Sequence, residues 1–178
     1  VIDGAAQEGA LFAAPQRVFQ GREARSWGVF APTYALRSDR SLGIGDLADL
    51  ERLAAWLGEA GGSTLATLPL TATFVTDPFD PSPYAPISRL FFSELYLALD
   101  ALPEFELAPA SVREALAAEQ GTGGPSVDYP HVARLKRQLI QPLASVVETH
   151  PELRAELDTW ITAHPRAVDY ARFVATHQ

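Results

Sequence analysis

The sequence contains no cysteine and no methionine. Without thiols, disulfides, thiolate catalysis and cysteine-ligated zinc are excluded. Without a methionine even at position 1, a chain that starts at Val1 and stops after a helix-like run reads as a piece excised from a longer protein. No apolar run approaches the roughly 20 residues of a membrane helix. Residues 1–10 have neither the basic start nor the apolar core of a signal peptide. Basic residues are also scarce, 14 against 22 acidic, giving a net charge of −8. Such a chain repels phosphate backbones, so nucleic acid is not an expected partner, while neutral ligands such as sugars are unaffected. A cytoplasmic protein with no membrane partner is expected.

What is present suffices for one domain with a real core: 178 residues, of which 47% are hydrophobic and 20% charged. Residues 1–25 show no period and read as a lead-in or linker. Residues 27–36, WGVFAPTYAL, read as a buried strand ending near Pro32. A polar turn and the paired glycines Gly43 and Gly45 follow. Asp46 is a good N-cap and Asp49 adds favourable charge in the first turn of a helix. In that helix Leu47, Leu50, Leu53, Ala54 and Leu57 recur at three and four residues, marking a buried face. Gly61 and Gly62 end it. Residues 63–70, STLATLPL, read as a second strand, so strand, helix and strand form a βαβ unit with parallel strands.

Four prolines between 78 and 86 then make a stiff loop that is neither helix nor central strand. Residues 88–102 read as a helical turn running into an extended segment at 95–99. From Pro109 the character becomes helical. Residues 109–119 are alanine-rich and 121–125 are a flexible break. Residues 130–147 carry Val132, Leu135, Leu139, Leu143 and Val146 at helical spacing, with a kink expected at Pro142. Pro151 and Pro165 sit where first-turn prolines belong. The expected division is 1–25, then 26–108, then a helical subdomain over 109–178.

The blocks WGVFAPTYALRSDRSLGIGD, Leu68-Pro69-Leu70 and SPYAPISRLFFSELY stand in an order and at distances that resemble the opening of the amylomaltase, or 4-α-glucanotransferase, family (glycoside hydrolase family 77). Val127-Asp128-Tyr129 with Leu135-Lys136, and residues 169–173, match weaker signatures of that family's helical insertion. The resemblance covers about residues 25–178. It implies the start of a TIM barrel followed by a mostly helical insertion. It also implies malto-oligosaccharides or other α-1,4-glucans as partners, no cofactor, and segment transfer by a retaining mechanism in which one carboxylate attacks and a second acid protonates the leaving oxygen. No residue here matches the family's catalytic acids, so the chain alone is expected to be inactive. Ser93-Glu94-Leu95-Tyr96 departs from the family's usual Asn-Pro motif, which leaves chain-length preference and acceptor open.

By resemblance, Tyr84 of the Ser-Pro-Tyr block lines the glucan cleft, with Ser82 beside it; a tyrosine can stack on a sugar and bond its oxygens. Pro32 and Tyr34 end the first strand and are candidates for the cleft floor, against core packing. Asp46 is a candidate contact whose simpler reading is the helix cap. Asp77 and Asp80 resemble a carboxylate pair but lack further oxygen ligands for Ca²⁺. His131, His150, His164 and His177 show no metal-ligand spacing and read as surface or capping residues. Competing readings are a non-catalytic α-glucan-binding module, or a helical interaction domain over 109–178. An opened βαβ unit is also expected to expose apolar surface, including parts of Val29, Phe30, Leu65 and Leu68, so that the chain self-associates or is only marginally stable.

Overall fold

The computed structural model describes residues 11–18, 25–75 and 79–177. Residues 11–18 carry no regular structure, and Leu11 and Phe12 are almost fully exposed. The chain then forms β1 (Gly28–Phe30), α1 (Leu47–Glu59), β2 (Thr64–Ala66), α2 (Ala110–Glu119), α3 (Tyr129–Thr149), α4 (Pro151–Ala163) and α5 (Pro165–His177). β1 and β2 pair in parallel, Gly28 opposite Thr64 and Phe30 opposite Ala66, so the βαβ expectation holds.

Both strands are shorter than the sequence suggests. Ala31 N–H still donates to Ala66 O at 2.9 Å. Pro32 has no N–H to continue the ladder. Thr33 N–H is diverted to the hydroxyl of Thr67 at 3.0 Å, and the two threonine hydroxyls bond at 2.9 Å. The chain therefore turns into a 3-10 turn at Thr33–Ala35 rather than extending to residue 36. The expected extended segment at 95–99 is likewise replaced by two 3-10 turns, Glu94–Tyr96 and Leu99–Ala101, joined through Leu97 and Ala98. Ser93 caps the first of these by accepting from Leu95 N–H.

α1 begins as expected. Asp46 accepts from Ala48 and Asp49 N–H while Asp49 accepts from Asp46 N–H, a reciprocal capping box. Gly61 ends the helix region at φ +79°. The predicted buried face does not hold: of its five residues only Leu57 is buried, and Leu47 and Ala54 are exposed. The buried positions at the start of the helix are instead the two carboxylates, Asp46 and Asp49.

The core forms where α3 meets residues 93–116. One cluster joins Leu42, Leu99, Val112, Leu116, Leu139 and Leu143. The other joins Ile44, Leu95, Tyr96 and Val132. The buried stripe of α3 runs Val132, Lys136, Leu139, Leu143 and Val146, with Lys136 in the place expected for Leu135. α3 continues through Pro142, which withholds the N–H that the carbonyl of Gln138 would otherwise accept. β1 and β2 remain open: Phe30 is 62% exposed, and the central Val29 and Leu65 are half-buried.

Two glycines make opposite predictions. A Cβ on Gly45 would lie 2.2 Å from Thr33 O and 2.7 Å from Leu36 Cβ, while one on Gly58 of α1 would meet nothing within 4 Å. Gly45→Ala is expected to lose about 1–3 kcal/mol by forcing the 3-10 turn aside. Gly58→Ala is expected to gain about 0.5–1 kcal/mol from helix propensity. Thermal melts that shift in the same direction for both would contradict this.

Candidate functional site

The loop that leads into α1 is fixed by a charge network centred on Arg40. Its Nη1 donates to Asp46 Oδ1 at 2.8 Å and Oδ2 at 3.1 Å and approaches Asp49 Oδ1 at 3.5 Å. Its Nε donates to Asp100 Oδ2 at 3.1 Å and its Nη2 to Asp100 Oδ1. Asp100 also accepts from the side-chain amide of Gln120. Ser38 and Ser41 donate to the two oxygens of Asp49 at 2.6 and 3.1 Å. Burial disfavours the charge of Arg40, but its hydrogen bonds to Asp100 and Asp46 outweigh that and hold its pKa above the ordinary value. Burial likewise works against the Asp49 carboxylate, yet the bonds from Ser38, the Asp46 amide and Ser41 keep its pKa below the usual range. Asp46 is thus a buried cap, with both oxygens engaged by the protein itself.

Beside this network, at the end of β1, Tyr34 meets Tyr129 at the start of α3 edge to face, with ring centroids 6.3 Å apart. Phe79 leans on the same Tyr129 at 5.8 Å. A cleft of about 560 Å³ opens here, lined by Tyr34, Ala35, Arg37, the loop from Gly124 to Val127, and Tyr129. Arg37 is exposed, and its Nη1 donates to Tyr34 O at 2.7 Å and Leu36 O at 2.8 Å. Pro32 and Tyr34 are both half-buried just past the end of β1.

Phe79 opens the Pro-rich loop. Asp80 Oδ1 accepts from Ser82 N–H at 2.9 Å, and Ser82 Oγ accepts from Tyr84 N–H at 3.4 Å. These bonds shape the turn that presents Tyr84, which is 72% exposed. Asp77 lies outside the described residues; Asp80 serves the turn. Among the described residues no group of three or more His, Asp or Glu side chains is placed to hold a metal ion. His150 Nδ1 lies 2.7 Å from Val146 O at the end of α3. His164 stacks on Trp160 and contacts its carbonyl. The side chain of His177 lies outside the described residues.

Two larger clefts, about 650 and 830 Å³, run between residues 90–97 and α5. Their walls include Leu47, Phe92, Ile140 and Val174 in the first and Phe91, Phe92 and Trp160 in the second. They exceed the Tyr34–Tyr129 cleft in volume, and apolar surface dominates their walls, with Ser93, Glu94, Arg137 and Tyr170 in the first and His164 and Arg166 in the second. Tyr129, within the Val-Asp-Tyr block, and Arg37 line the smaller cleft without having been candidates in the sequence.

The structure resembles amylomaltase from Corynebacterium glutamicum with a TM-score of 0.65 and 27% identity, covering 76% of this chain and 20% of that one. The family model of 4-alpha-glucanotransferase matches residues 31–178. The chain belongs to that family. It is 44% identical over 88 residues to the 4-alpha-glucanotransferase of Mycobacterium tuberculosis, covering 45% of this chain and 12% of the relative. It is 32% identical over 142 residues to that of Haemophilus influenzae, covering 75% of this chain and 20% of the relative. The chain thus spans about an eighth to a fifth of the length of these relatives. No helix among the described residues is long and apolar enough to cross a membrane.

Proposed function

We propose that this chain contributes the first β/α unit of the catalytic barrel, and a wall of the glucan cleft, to a 4-α-glucanotransferase that moves α-1,4-glucan segments between malto-oligosaccharides. The observation that carries the reading is the exposed Tyr84, held on a hydrogen-bonded turn within a chain of this family. Tyr84 stacks on the sugar and bonds one of its oxygens, Ser82 sets the turn, and Tyr34 with Pro32 forms the floor at the end of β1. Asp46 acts indirectly, by fixing the loop before α1. The nucleophile and the acid of the retaining reaction come from residues beyond those in this sequence, so the chain by itself does not turn over maltotriose.

Tyr84→Ala in the full-length transferase is the test. Losing one stacking face and one hydrogen bond is expected to cost about 1–3 kcal/mol of glucan binding and transfer. Glucose release from maltotriose reads it, with the melting temperature unchanged because Tyr84 is exposed. Unaltered kinetics would return Tyr84 to the packing of its loop.

A further inference from the structure

We propose that Lys136 is a positioning residue for the loop that bears Tyr84: its amine, reaching across from α3, fixes the limb by which the chain returns from that loop. The inference rests on the reading above of Tyr84 as a substrate contact, and adds a residue that touches no substrate itself.

The link can be followed bond by bond. Tyr84 lies on the loop between Ala72 and Ile87, and Ile87 N–H donates to Ala72 O at 2.9 Å to close it. The base of the loop is a short antiparallel pairing around a bridge between Thr71 and Phe92. There Ala72 N–H donates to Phe91 O and Ser93 N–H to Leu70 O, both at 2.9 Å. At the end of this base Ser93 caps the turn Glu94–Tyr96 by accepting from Leu95 N–H. Lys136 holds the same turn from the other side, Nζ donating to Leu95 O at 2.6 Å and Leu97 O at 2.7 Å. Those two carbonyls flank Tyr96, which is buried and shares one cluster with Tyr34 and Tyr129. Phe79 of the loop leans on Tyr129. The amine therefore sits where the return limb meets the aromatic wall.

A side chain that only filled the core would have other chemistry. Lys136 is 1% exposed and lies on the buried stripe of α3. Desolvating its amine costs free energy that leucine or methionine would avoid. Offsetting that cost are two bonds to carbonyls 41 and 39 residues away, which no apolar side chain can make. Without them the carbonyls are left unpaired in the core, and the turn shifts toward another donor, taking the base of the loop with it.

The experiment is maltotriose kinetics with the full-length transferase as wild type, Tyr84→Ala, Lys136→Met and the double variant. Lys136→Met is expected to raise KM on the order of tenfold, with kcat changed less than about threefold. A lysine that served stability alone would reduce the active fraction, which lowers kcat and leaves KM as it was. If Lys136 acts through Tyr84, Lys136→Met should raise KM less than about threefold in the Tyr84→Ala background. Ser93→Ala removes the cap of the same turn and takes the place of Lys136→Met should the latter not fold; the same dependence on Tyr84 is expected. An unchanged KM in the folded variants, or effects that simply multiply with that of Tyr84→Ala, would overturn the positioning role and leave Tyr84 as a substrate contact. Tyr84→Ala with wild-type kinetics would overturn that reading and this inference together.

Discussion

Arg40→Met is expected to remove about 3–5 kcal/mol from the stability of the fold. Arg40 is the single cation bonded to Asp46, Asp49 and Asp100 among the described residues, and the first two carboxylates are nearly inaccessible to water. An ion pair at a surface contributes little, because water replaces the lost partner. Here Asp46 and Asp49 are shielded from water, so deleting the guanidinium leaves two buried negative charges without their counter-charge. Asp49 must then take up a proton or the loop before α1 must open. Urea unfolding at pH 7 measures the loss, and lowering the pH should recover part of it in the variant. A loss below about 1 kcal/mol would mean that the carboxylates are solvated after all.

Lys136 produces the second large effect, of opposite sign with pH. Its amine lies inside the core and donates to Leu95 O at 2.6 Å and Leu97 O at 2.7 Å. Burial lowers its pKa from 10.5 to about 8; Asp46, Asp49 and Asp100 oppose that shift and Arg40 adds to it. Between those two values the unfolded chain binds a proton that the folded chain does not, so stability rises with pH. The full shift corresponds to about 3 kcal/mol. The neutral amine still has two N–H groups, enough for both carbonyls. Higher still, the tyrosines reverse the trend. Burial pushes Tyr96 up to about 12 and raises Tyr129 and Tyr170, so the folded state retains protons that the unfolded state releases above about pH 10. Stability is therefore expected to climb from pH 8 to a maximum near pH 10. Urea midpoints across that range for wild type and Lys136→Met isolate the lysine. Parallel curves would show that its amine is not desolvated.

Lys136 also shows where the sequence misleads. The helical period of α3 was plain, and Val132, Leu139, Leu143 and Val146 are buried as expected. The seam between Val132 and Leu139 passes through position 136, yet pattern reading favours Leu135 because a lysine is normally solvated. Only the carbonyls of a distant 3-10 turn make its burial tolerable, and no local pattern encodes them. The same holds for α1. Its capping box was legible because caps are local. Its buried face was not, since burial depends on what covers the helix, and the described residues cover little beyond Leu57. The parallel pairing and the proline-started helices were legible; the early end of both strands depended on a threonine pair 34 residues apart. Tyr84 was a candidate through the family's Ser-Pro-Tyr motif, and Tyr34 through its place at the end of the first strand. The meeting of Tyr34 with Tyr129 was not legible, because it requires the helical part to fold against the end of β1.

The seam between these two parts is a backbone contact. Leu42 and Thr122 form an isolated parallel bridge, and a Cβ on Gly123 would lie 2.9 Å from the Cα of Gly43. Both glycines hold positive φ, +75° at Gly43 and +136° at Gly123. In evolutionary terms the pair is closed to compensation. A side chain at 123 collides with main chain, which cannot be trimmed by a second substitution, and one at 43 enters a conformation that L-residues rarely adopt. Gly124, one residue on, has only Ser126 O at 3.9 Å from its would-be Cβ. A side chain is therefore accommodated at 124 and not at 43 or 123. An insertion that spares the contact is expected to be tolerated only beyond residue 123.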